Sequence, residues 1–112
     1  MVKPAARSLS NYTRDALALF GNLIREGRIA KRMTAEALAE RVGISRALLH
    51  RIESGDPRSN IGAVFEAAAI LGVPLLDADA GTMTRLIRES LEKRALLPRR
   101  VRASKAGLKD DF

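Results

Sequence analysis

The stretch from Thr34 to Gly55, TAEALAERVGISRALLHRIESG, constrains this chain more than any other, because it holds two short apolar-striped segments hinged on a single glycine. In the first segment Leu38, Ala39 and Val42 recur at helical spacing, Thr34 precedes it as a side-chain cap, and Gly43 stands where a left-handed turn residue is required. The second follows almost at once, with Ser45 as its N-cap and Gly55 just past Ser54 as its stop. Two short capped helices joined this tightly form a helix-turn-helix.

On a helical wheel with Arg46 at zero, Leu48, Leu49 and Ile52 fall in an arc from roughly 200° to 300°, while Arg46, Ala47, His50 and Arg51 fill roughly 0° to 140°. The first arc is a core face. The second offers two guanidiniums, an imidazole and a methyl, groups able to read guanine edges and thymine methyls in a major groove. A helix that is merely solvated would show the same wheel; the glycine hinge and the two caps favour the DNA-reading alternative.

A net charge of +7 over 112 residues and a sequence pI near 10.8 favour a polyanionic partner, which nucleic acid satisfies more readily than an acidic protein. A membrane surface is the rival for any basic chain. It loses here because the apolar runs are short and interrupted by Glu66, Gly72 and Pro74, with no signal peptide or spanning segment in view. The expected location is cytoplasmic, in association with the nucleoid.

With no cysteine and one histidine, His50, the chain lacks a thiolate nucleophile, a zinc-finger ligand set and any histidine-based metal cluster. Glu36 with Glu40 and Glu89 with Glu92 are paired acids, but Arg85 to Glu89 and Arg88 to Glu92 are i,i+4 pairs of a solvated helix face rather than catalytic carboxylates. Asp77 and Asp79 before Gly81 hint at a calcium loop, yet Arg88 occupies the position of the bidentate acid. No enzyme, metal or cofactor is expected.

The organisation predicted is all-α. Residues 1–11 read as a loose N-terminal arm, residues 12–75 as the helix-turn-helix domain, residues 76–97 as a C-terminal helix and residues 98–112 as a flexible tail that is first basic and then acidic. Helix one is expected near Thr13, with a stripe through Leu17, Phe20, Leu23 and Ile24 that Ala30 and Met33 continue into the turn. Asp56, Pro57 and Arg58 form a loop, Ser59 or Asn60 caps helix four, and Val64, Phe65, Ala68 and Leu71 are its inward stripe. The core should be aliphatic and alanine-rich. From about Thr82 to Leu96, Met83, Leu86, Ile87 and Leu91 recur at helical spacing, a stripe that suits either the domain's own fourth helix or the same helix of a second copy. One recognition helix covers little DNA, and regulators of this kind read two half-sites about one helical turn apart, which adds weight to a homodimer.

These residues resemble the Xre-type helix-turn-helix regulators, the family that includes the phage repressors, over about Phe20 to Val73. FGNLIREGRIAKRMT is similar to the family's first helix and its link, LAERVGIS to the helix-turn-helix, HRIESG to the end of the recognition helix and AVFEAAAILGV to the fourth helix. The resemblance implies a five-helix domain with base contacts from Arg46, Ala47 and Arg51, His50 lying beside them. It also implies phosphate contacts near Thr34, Ala35 and Ser45 and again near Arg58, Ser59 and Asn60, and a structural ion pair between Arg28 and Glu53. One departure stands out: many relatives carry a phosphate-clamping glutamine where this chain has Ala35.

The last stretch, ALLPRRVRASKAGLKDDF, resembles the C-terminal tails of Xre-type antitoxins encoded beside HipA-like kinases. That resemblance implies a protein that represses its own operon and binds a toxin kinase through Pro98, Arg99, Arg100, Arg102 and Phe112. The alternative is a stand-alone Xre-type transcriptional regulator with no toxin partner.

Overall fold

Side-chain caps set the helix starts. The computed structural model describes residues 8–103 and contains α1 (Asn11–Ala30), α2 (Ala35–Val42), α3 (Arg46–Glu53), α4 (Ile61–Leu71) and α5 (Ala80–Ala95). Among the described residues there is no strand, and the chain is all-α. Ser10, Thr34, Ser45, Asn60 and Asp79 each accept the backbone N–H three residues on, from Thr13, Ala37, Leu48, Ala63 and Thr82. Such a bond satisfies one of the donors a helix leaves unpaired and stabilises its helix by about 1 kcal/mol. Ser10 therefore brings Asn11 out of the expected arm and starts α1 two residues before Thr13. Of the two candidate caps for α4, Asn60 does the capping, while Ser59 donates its hydroxyl to the Asp56 carbonyl.

The chain divides into two units, Met1–Asp77 and Ala78–Phe112. In the first, α1 and α2 each pack against both α3 and α4. Ile24 of α1, Leu38 of α2 and Leu49 of α3 are fully enclosed, and Ile52, Ala39, Ala63, Ala67, Ala68 and Leu71 complete the core. Enclosing each of the large aliphatics stabilises the fold by about 1.5–3 kcal/mol.

Two expectations about this core are corrected. In α4 the enclosed positions are Ala63, Ala67, Ala68 and Leu71, whereas Phe65 is 36% exposed. It lies two residues from Ala67, on the other side of the helix, and lines a groove of about 320 Å³ with Leu17, Phe20, Ile61 and Val64. Ala63, Ala67 and Ala68 thus put methyl groups, not an aromatic, between α4 and the helices it packs on. Ala30 is exposed as well, leaving Met33 to continue the α1 stripe into the core edge.

Gly43 and Gly21 are each required by geometry. Gly43 closes α2 at φ 85°, and the Ile44 N–H that follows bonds the Ala39 carbonyl at 3.0 Å, so the chain reverses at once into α3. At Gly21 a Cβ would run into the backbone carbonyls of Ile52 and Glu53. Its bare Cα lets α1 lie directly on the end of α3.

In the second unit Asp79 caps α5, and Arg85 meets Glu89 at 3.3 Å across one turn. Arg88 and Glu92 form no such pair among the described residues. Leu86, Ile87 and Leu91 are each about half exposed. No helix among the described residues is long and apolar enough to cross a membrane.

Candidate nucleic-acid interface

Burial of Leu49 and Ile52 fixes the rotation of α3 about its axis. Arg46, Ala47 and His50 are consequently exposed on the opposite side, with Arg51 half-exposed beside them. The four side chains thus share one outward face of a helix only eight residues long.

Arg51 is tied to the loop that follows α3. Its Nε donates to the Arg58 carbonyl at 3.1 Å, a bond that does not occupy the two terminal nitrogens of the guanidinium. Asp56 organises the same loop: its carboxylate accepts the Arg58 backbone N–H at 2.7 Å and the Arg58 guanidinium at 3.1 and 2.8 Å. The Arg58 side chain holds the Asp56 carboxyl down to about 2, with help from the Arg58 backbone N–H. Arg58 is therefore an internally paired cation, its charge offset by the carboxylate beside it.

Below the face, Arg28 joins three segments. Its Nε and Nη2 donate to the two Glu53 carboxylate oxygens at 2.7 and 3.0 Å, and its Nη1 donates to the Met33 carbonyl at 3.0 Å. Both side chains are nearly enclosed, at 13% and 8% exposure. Hydrogen bonding to Glu53 raises the Arg28 pKa, against the opposing effect of burial. One planar guanidinium thus fixes α1, the α1–α2 turn and the end of α3 relative to one another.

A family model described as a helix-turn-helix domain matches residues 19–80, more than half of the chain. The chain belongs to the helix-turn-helix domain family. Among curated proteins no match was found. Membership supports DNA as the ligand class of the domain, and the matched span covers α2 and α3 in full.

In this helix-turn-helix domain the starts of α2 and α3 carry Thr34 and Ser45, whose oxygens already accept one N–H each. A hydroxyl that accepts still has its proton to donate, so both can serve a phosphate oxygen while capping. Ser59 differs, since its hydroxyl proton is engaged by Asp56, and only its backbone N–H can face an anion. Asn60 uses Oδ1 for the cap and keeps its amide hydrogens.

Sequence reading missed Arg25. With Arg46, His50 and Ser54 it lines a depression of about 160 Å³ that opens beside Ala35 at the start of α2. Pockets for drug-sized ligands run to roughly 300 Å³ or more, so this one is too small for such a ligand. Arg28 and Glu53 at its floor neutralise each other, and neither Arg25 nor Arg46 has an ion-pair partner among the described residues. The available signal was the i,i+3 spacing of Arg25 and Arg28, which puts both on one side of α1. Pro98, Arg99, Arg100 and Arg102 are exposed and without regular secondary structure. Phe112 lies outside the described residues.

Proposed function

We propose that this helix-turn-helix protein is a sequence-specific transcriptional repressor that binds its operator as a homodimer. The observation that carries the reading is the outward face of α3, where Arg46, Ala47, His50 and Arg51 stand together within the matched span. Arg46 and Arg51 supply forks for guanine, Ala47 a methyl for thymine, and His50 a further donor or acceptor. Thr34 and Ser45 with the helix starts behind them, and the Arg58 to Asn60 loop, take the flanking phosphates. Arg25 joins that set and stands in for the missing glutamine at Ala35.

Dimerisation is assigned to α5. A helix with a charged side and half-exposed Leu86, Ile87 and Leu91 has a face to cover, and two domains on one duplex need half-sites about 34–36 Å apart. Selection of bound duplexes from a random library tests both statements. An inverted repeat with half-sites one turn apart is the expected product; unselected sequences, or a single half-site, would overturn the repressor or the dimer reading respectively.

The finer reading is an autoregulating antitoxin of a HipA-like kinase, supported by the likeness of residues 98–112 to such tails. Truncation after Leu97 should leave operator specificity intact and abolish capture of a co-encoded kinase. Retained capture would move the kinase contact off the tail, and the lack of such a neighbour favours a stand-alone regulator.

A further inference from the structure

Three backbone and side-chain bonds around the loop after α3 close into a ring. The Arg51 carbonyl accepts the Asp56 N–H at 2.9 Å, Asp56 Oδ1 accepts the Arg58 N–H at 2.7 Å, and the Arg58 carbonyl accepts Arg51 Nε–H at 3.1 Å. Ser54 and Ser59 brace it, donating their hydroxyls to the carbonyls of Arg51 and Asp56. Every link lies within residues 51–58, from the last turn of α3 into the loop, so the ring closes without a partner molecule.

We infer that Asp56 is a positioning residue for base readout, holding the loop whose Arg58 carbonyl aims the Arg51 guanidinium. The inference rests on the reading that the outward face of α3 contacts bases. An arginine free to rotate must be ordered on binding and loses side-chain freedom in doing so. Here one donor, Nε, is committed to the loop, which orders the side chain in advance and leaves both terminal nitrogens as a planar pair. That pair matches the two acceptors guanine presents in the major groove.

The same carboxylate has a second effect. By pairing with the Arg58 guanidinium through two nitrogens it removes a free cation from the phosphate-facing loop. Attraction to DNA of any sequence weakens with each phosphate that is left without a cation. Asp56 therefore raises specificity from both sides: it sharpens the cognate contact and weakens the indiscriminate one.

A role confined to loop stability would lower both kinds of binding together, which gives the test its contrast. Binding is measured on cognate duplex, on duplex altered at the base pair read by Arg51, and on unrelated duplex, across a salt series. Asp56→Ala breaks the ring and frees Arg58, so discrimination at that base pair should fall about tenfold while binding to unrelated duplex is unchanged or tighter. Asp56→Asn keeps an acceptor for the Arg58 N–H and loses the charge. It should keep discrimination within about threefold of the parent and still bind unrelated duplex more tightly.

Coupling decides the route. On an Arg51→Ala background, adding Asp56→Ala should change discrimination by no more than about twofold, because the side chain that Asp56 positions is already gone. A full additional loss there, or unaltered discrimination in Asp56→Ala where Arg51→Ala loses it, overturns this inference alone. A parent protein without sequence preference, or Arg51→Ala without any loss, overturns the base-reading face and this inference with it.

Discussion

Arg28 and Glu53, 25 residues apart in the chain, meet as a two-pronged ion pair that is almost fully enclosed between α1 and the end of α3. Removing one member strands the other charge, which costs about 3 kcal/mol at the lower end of the range for buried pairs. Arg28→Ala and Glu53→Ala should each lower the melting temperature by about 10 °C or more for a domain of this size. A double replacement by apolar residues of similar volume should recover much of that loss, since two charges need not then be desolvated. Calorimetry of the three variants checks both statements, and unchanged melting in the single variants would contradict the enclosure.

Arg25→Ala should weaken binding to every duplex to a similar degree and make the salt dependence shallower by about one counterion. Ala35→Glu should weaken it further, because it places an anion at the mouth of the same depression. An acid in the first turn of α2 favours the helix, but Ala35 packs against the core edge, so the loss is read as electrostatic only where the variant melts with the parent. Titrations at three or more salt concentrations read both effects; a change in base preference instead would reassign Arg25 to readout.

Gly21→Ala should destabilise the first unit by about 1–3 kcal/mol, because the new methyl meets the carbonyls of Ile52 and Glu53 and backbone cannot swing aside. Gly81→Ala is the contrast. Its Cβ would find only Asp79 Oδ1 at 3.8 Å, and alanine favours a helix over glycine by about 0.5–1 kcal/mol. Denaturant unfolding for the first and helical ellipticity for the second are the measurements; equal effects would show that Gly21 is not at a close crossing.

The Asp56 carboxyl is held at about 2, below its ordinary value of 3.8. A folded-state value lower than the unfolded one gives stability that is present above the unfolded value and lost as pH falls through the folded one. The difference in stability between the parent and Asp56→Asn should be constant from about pH 8 to pH 5 and shrink from about pH 4 to pH 2. A difference that changed near neutral pH would point to another titrating group.

Leu86→Glu with Leu91→Glu should convert the proposed α5 dimer into a monomer by sedimentation, since a carboxylate on such a seam would be desolvated without a partner. The helical content should hold, because both positions are exposed in the single chain. Unchanged sedimentation would remove α5 from the interface.

The starts of α2 and α3 were legible from Thr34 and Ser45, because a cap and its N–H partner are three residues apart and the bond is local, whereas α5 begins at Ala80 behind Asp79, two residues before the expected Thr82. The rotation of α3 was equally legible: Leu49 and Ile52 on one side leave Arg46, Ala47, His50 and Arg51 on the other, whatever the helix packs against. Only the tertiary structure decided that α4 turns its alanines inward and Phe65 outward. Methyl groups carry little hydrophobic signal, and closeness of approach depends on the neighbouring helix. The crossing at Gly21, the depression beside Arg25 and the ring through Asp56 arise in the same way. Each is set by distances between segments or by the path of a loop, which helical periodicity does not encode.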